Sequence, residues 1–290
     1  IDVSFDGTKL LFSLRLEDPN PNDNDTPSWN IYEYDLDNNL LRRVIADDTN
    51  AEAGNDIAPH YLADGRLVFT STRQRQSREV ITNEGISGIT KAPFSALDDS
   101  RREKALVLHV MNEDGSDIQQ ISFNQSHDLD PVVLSNGEIL FSRWDGMNSR
   151  NAVSLYKTTP DGSSLQMVYG VHDESHDTGT ANSTIEFIKP RELQNGKIMA
   201  IARPFTGTFG GGDMVVIDTE NYIDYTQPVA SMSGITGPAH NAATINNIIT
   251  DGTFSKAGYY HAVYPLWDGT DRILVSKGLC QLAINNVTRA

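Results

Sequence analysis

The chain repeats itself, and repeats of this kind leave few architectures open. Residues 56–71 (DIAPHYLADGRLVFTS) lie over residues 128–142 (DLDPVVLSNGEILFS) at an offset of 72, so that Pro59 meets Pro131, Gly65 meets Gly137 and Phe69 meets Phe141. The pattern returns in residues 188–202 (IKPRELQNGKIMAIA) and 263–276 (VYPLWDGTDRILVS), and residues 4–13 (SFDGTKLLFS) form a copy without the proline. Each copy reads as a short strand, an Asp-Gly or Asn-Gly turn and an apolar strand, which is a hairpin signal. A second hairpin follows, its first strand at residues 29–34, 107–111, 153–158 and 214–217. Four strands per unit predict an all-β chain of four-stranded propeller blades, with Phe12, Phe69, Phe141 and Ile201 between the sheets.

The turn glycines Gly7, Gly65, Gly137 and Gly196 are 58, 72 and 59 residues apart. Compact propeller repeats run about 40 to 50 residues, so insertions separate the strands. Residues 17–28, 74–104 and 222–260 are the candidates. The fifth unit offers one hairpin and residues 281–284 as a weak third strand. Residues 1–290 are therefore expected to form one propeller domain, incomplete at its C-terminal end and part of a six- or seven-bladed ring, because an open ring exposes sheet edges.

Composition narrows the function classes. With 23 Lys and Arg against 39 Asp and Glu the formal charge is −16, which opposes nucleic-acid phosphates and anionic lipid. Hydrophobic residues at 38% suffice for a core and argue against disorder. Apolar runs such as residues 105–108 and 214–217 fall far short of the roughly 18 to 20 residues of a membrane span. The first residue is Ile1 and no basic and apolar leader follows it, so any targeting signal is expected upstream. Cys280 is the one cysteine, which precludes an internal disulfide and covalent c-type haem attachment through Cys-x-x-Cys-His.

The unit FDG-x-x-LLFS followed by IYEYDLD is similar to the WD-like repeats of TolB-type β-propellers. More narrowly, residues 64–73 (DGRLVFTSTR), 109–130, 213–218 (DMVVID) and 266–276 resemble the middle propeller domain of the hydrazine synthase alpha subunit. That resemblance implies a periplasmic or extracellular bacterial protein and flanking domains or a protein partner. In that family the c-type haems lie in domains beside the propeller, and no haem-attachment motif occurs here.

Candidate chemistry is sparse. Residues 171–180 (VHDESHDTGT) hold the densest ligand cluster, in which His172, His176, Asp173 and Asp177 supply imidazole and carboxylate donors for a divalent transition metal. The bland alternative, a solvated loop, weighs more. Asp56, His60, Asp128, Asp130, Lys189 and Arg191 fall on the strand before each turn and are expected near a central channel as ligand groups, the weightier alternative being that Asp56 and Asp128 accept backbone N–H bonds at strand starts. Arg15, Arg73, Arg143, Arg203 and Lys277 recur after the second strand, and such regularity favours a structural role over an anion-binding ring. Residues 18–25 (DPNPNDND) imitate a calcium loop but have Asp23 and Trp29 where an EF-hand needs Gly and Glu. The glycines of residues 209–213 (FGGGD) precede a strand and are expected to bend a hairpin, not to cradle a dinucleotide. Two functions remain: a non-catalytic binding or scaffolding propeller, or the propeller part of a metal- or haem-dependent redox enzyme that shares its site with another domain.

Overall fold

The computed structural model describes residues 1–20, 26–73, 105–124, 126–145, 152–170, 185–204, 210–246, 248–250, 255–278, 282–284 and 287–289. The chain divides into two compact units, residues 1–140 with 158–165 and residues 141–157 with 166–290. The first blade is the antiparallel sheet β1 (Asp2–Val3), β2 (Lys9–Arg15), β3 (Trp29–Asp35) and β4 (Leu40–Arg43), hydrogen-bonded in sequence order. A one-turn helix, α1 (Asp48–Ala51), leads into the second blade of β5 (Asp56–Tyr61), β6 (Arg66–Ser71), β7 (Val107–Asn112) and β8 (Gln119–Gln120). The helix starts where the Asp47 carboxylate accepts the Asn50 N–H, a standard N-cap.

The third blade comprises β9 (Asp128–Val133), β10 (Ile139–Asp145), β11 (Ala152–Thr158) and β12 (Gln166–Tyr169). The fourth comprises β13 (Ile185–Glu192), β14 (Ile198–Pro204), β15 (Asp213–Ile217) and β16 (His240–Ala242). A parallel bridge between Val153 and Glu186 fuses the third and fourth blades into one eight-stranded sheet. The fifth unit is the hairpin of β17 (Tyr259–Pro265) and β18 (Ile273–Gly278). Residues 282–284 do not extend it: β19 (Leu282–Ile284) pairs with β20 (Val287–Arg289) as a separate hairpin. Among the described residues no helix is long and apolar enough to cross a membrane.

The recurring proline marks a backbone device. In β5 two residues, Ala58 and Pro59, face one on β6, and the same register shift falls between Ile188 and Arg191 of β13. Proline has no N–H for a ladder, and neither bulge gives its proline a cross-strand partner. The residue before it is left-handed in three blades: Ala58, Asp130 and Lys189 have φ of 50°, 49° and 51°. None is glycine, so each bulge carries a backbone strain of about 1 to 2 kcal/mol that packing must offset.

Packing is strongest where alternate strand positions meet a neighbouring blade. Leu11, Ile31, Val44, Leu67, Phe69 and Met111 form one core across the first and second blades. Val153, Ile188, Ile201, Met214, Tyr259 and Val263 belong to another in the second unit. Phe69, Phe141 and Ile201 are fully buried. Phe12 is only half-buried, stacked on Tyr32 at 6.5 Å, because it faces away from the core that holds its neighbour Leu11. Gly115, at φ 83°, is fixed by tertiary contact: a Cβ there would lie 2.4 Å from the Val44 carbonyl oxygen.

Candidate functional site

In the second and fourth blades a buried acid at or next to the start of the first strand is reached by an arginine at or just past the end of the next. In the second blade Asp56 is wholly buried and pairs in register with Ser71, whose hydroxyl donates to it at 2.6 Å. Arg73 clasps the same carboxylate with two nitrogens, Nε at 3.0 Å and Nη2, while its Nη1 donates to the Asn50 carbonyl at 3.1 Å. Its guanidinium also lies 5.9 Å from the Phe69 ring centre. Every nitrogen has an acceptor. Burial pushes the Asp56 carboxyl up, and the Arg73 and Ser71 bonds oppose that shift.

In the fourth blade the counterpart is Glu186, 3% exposed and paired in register with Arg203. Arg203 donates through Nε to Glu186 Oε2 at 2.6 Å. Its Nη1 and Nη2 find no acceptor among the described residues. Burial pushes the Glu186 carboxyl up to about 7, against the Arg203 charge and hydrogen bond that pull it down.

Arg203 lines a pocket of about 310 Å³ with Asp213, Tyr225, His240, Asn241 and Thr250, built from β13 to β16 and the irregular residues around them. His240 is held from behind: its Nδ1 shares a 2.7 Å hydrogen bond with Tyr169 Oη, and the Tyr169, Phe187 and Tyr225 rings pack edge-on around it at 5.9, 5.5 and 4.8 Å. The glycine run closes the loop before β15. A Cβ on Gly212 would meet the Ala202 carbonyl oxygen at 2.3 Å, so this run brings two backbones together as well as bending the chain.

The remaining predicted residues fall elsewhere. His60 shares β5 with Asp56 and lies with Nδ1 3.3 Å from Asp2 Oδ2, which also accepts the Tyr61 N–H at 3.0 Å. Burial raises the Asp2 carboxyl, and the His60 and backbone bonds outweigh it to leave a net lowering. Asp128 is wholly buried on β9, its N–H donating to the Leu106 carbonyl at 2.7 Å, and Asp130, two residues on, is left-handed at φ 49°. Strands β5 and β9 are in contact, so these four candidates share one region of the first unit. Arg191 lies 6.0 Å from the Tyr264 ring centre, its Nη1 donating to the Pro190 carbonyl at 2.9 Å. Lys189 donates to the His261 carbonyl at 2.8 Å. His172, Asp173, His176 and Asp177 lie outside the described residues, among which no group of three or more His, Cys, Asp or Glu side chains converges as a metal site.

Sequence reasoning passed over Glu186, Asp213 and His240. Glu186 carried a usable signal, an acid one strand ahead of the recurrent arginine, as Asp56 is ahead of Arg73. His240 sits in an insertion whose return to the sheet edge has no local signature.

The chain is a β-propeller of four-stranded blades, and solved propellers share its architecture. It matches hydrazine synthase from Kuenenia stuttgartiensis with a TM-score of 0.61 at 17% identity, over 96% of this chain and 35% of that one. It also matches TolB from Acinetobacter baumannii (TM-score 0.46, 12% identity, 76% of this chain and 40% of that one). An endo-arabinase from Bacteroides thetaiotaomicron matches with a TM-score of 0.45 and 14% identity, over 94% and 86%. At these identities the likeness is one of fold. The chain spans about a third of the hydrazine synthase chain and less than half of the TolB chain. No family model and no curated protein matches the sequence.

Proposed function

We propose that this chain is a binding propeller of a periplasmic or extracellular bacterial protein, a module that holds a ligand and supports a flanking domain or partner and does not itself catalyse. The reading rests on one observation, the Arg203 pocket. Its lining includes a guanidinium with two nitrogens that have no acceptor among the described residues, together with the Asn241 amide and the Thr250 hydroxyl, a set suited to hydrogen-bonding a small polar molecule. The counterpart Arg73 is fully engaged, in line with a structural role for the recurrent arginines. The extracytoplasmic setting and the partner are supported by the resemblance to the hydrazine synthase alpha subunit, in which such a propeller is one part of a longer chain.

The test is a thermal-shift screen of the purified protein against small organic acids, sugars and amino acids, with each stabilising compound followed by proton NMR. A compound that raises Tm and is recovered unchanged supports the reading. Chemical conversion of the compound, or no stabilisation by any member of the screen, counts against it.

A further inference from the structure

We propose that the pocket at the end of the fourth blade is a site for a small polar carboxylate, whose carboxyl group docks on Nη1 and Nη2 of Arg203. The proposal deepens the binding reading above and rests on it.

Three observations carry it. First, Arg203 is anchored by Nε on a buried carboxylate at 2.6 Å, which fixes the guanidinium plane and leaves its outer pair of nitrogens without acceptors among the described residues. Two parallel N–H groups in a plane match the two oxygens of a carboxylate, a geometry that lysine cannot supply. Second, the recurrent arginine of the second blade, Arg73, has all three nitrogens engaged, the third on the Asn50 carbonyl, so an acid-paired arginine in this repeat can be closed by its surroundings, and Arg203 is not closed by any described residue. Third, the charge count selects the ligand. Glu186 already faces Arg203 and Asp213 lines the same pocket, so each further negative charge on a ligand is opposed, and a monoanionic carboxylate is opposed less than dianionic phosphate. Asn241 and Thr250 supply partners for hydroxyl or amide groups on the rest of the molecule.

Binding is coupled to a proton. A ligand carboxylate beside Glu186 sets two anions against one guanidinium, so the complex is favoured when Glu186 is protonated. With that carboxyl raised by burial to about 7, affinity falls as pH rises. The other titratable groups on the pocket are Asp213 from β15, His240 from β16 and Tyr225 from the insertion, with Tyr169 of β12 behind His240. Among the described residues, Arg203 is the one charge acting on Glu186. One linked proton makes the change about tenfold between pH 6 and pH 8.

The experiment is calorimetric titration of the full chain with lactate and glycolate, and with inorganic phosphate as the competing chemistry, at pH 6 and pH 8. The expected result is carboxylate binding at pH 6 that weakens about tenfold at pH 8, with phosphate weaker at pH 8, where it is dianionic, and not preferred at pH 6. Glu186→Gln keeps the side-chain shape without the charge. It should bind equally at both pH values and therefore gain about tenfold at pH 8, a gain that a folding defect cannot imitate. Arg203→Gln, checked for unchanged circular dichroism, should lose binding at both. The proposal is overturned if phosphate is preferred, if neither carboxylate binds, if Glu186→Gln retains the wild-type pH slope, or if folded Arg203→Gln binds as the wild type does. An uncharged ligand in this pocket would sink the carboxylate assignment and leave the binding reading standing, whereas conversion of a ligand would sink the binding reading itself.

Discussion

The second and fourth blades place the same pair of residue types at the same end of the same two strands and arrive at opposite results. Around Arg73 the acid is short and wholly buried, two guanidinium nitrogens grip it, and the third is met by a carbonyl of α1. Around Arg203 the acid is longer, one nitrogen grips it, and the arginine lines a pocket. A repeated motif thus fixes where an arginine stands, while its unrepeated surroundings decide whether it is a strut or a receptor.

The sharpest way to break this comparison is to remove each arginine. Arg73→Ala leaves a wholly buried carboxylate without its cation, a change that costs about 3 to 5 kcal/mol. Arg203→Ala removes one charge-assisted hydrogen bond from an acid already able to take a proton near neutrality, and should cost about 1.5 to 3 kcal/mol. Urea unfolding of both variants checks the order. Equal losses would erase the distinction between a closed and an open pair.

Glu186 should also leave its mark on stability against pH. Its folded pKa of about 7 lies above the unfolded value near 4.5, so the native state holds the proton more tightly. Stability is therefore full below the unfolded pKa, declines as pH rises through that interval, and is level above 7, a change on the order of 3 kcal/mol from this group. Glu186→Gln should flatten that interval when urea midpoints are compared at pH 5 and pH 8. Asp6, Asp64 and Asp161 run the other way at lower pH. Turn hydrogen bonds depress their carboxyls, with Ser4, Arg66 and Thr159 the leading donors, so what they contribute is lost as pH falls through their lowered values.

The smallest effect separates backbone from pocket. Gly210 has φ 82°, and a Cβ there would stand 3.5 Å from Arg203 Nη1, an ordinary contact. Gly210→Ala should thus cost about 1 kcal/mol through conformation alone. Gly65→Ala, at φ 86° with nothing near, should cost the same by thermal unfolding. A larger loss at Gly210 would mean that the loop over Arg203 is packed more tightly than its geometry shows.

Much of the blade architecture was legible from local signals. Alternating apolar residues on either side of an Asp-Gly or Asn-Gly turn specify a hairpin wherever they occur, because turn geometry and strand period are properties of a few adjacent residues. The repeat then extended one hairpin to five, and the recurrent proline marked a position that donates no ladder bond. Only the folded chain showed that the residue before that proline is left-handed in Ala58, Asp130 and Lys189, since nothing about alanine or lysine announces it. Tertiary structure likewise decided the site. Saturation of a guanidinium depends on carbonyls and carboxylates distant in the chain, so Asn50 closing on Arg73, and His240 returning from an insertion to stand with Arg203 on one pocket, were settled by packing and not by spacing.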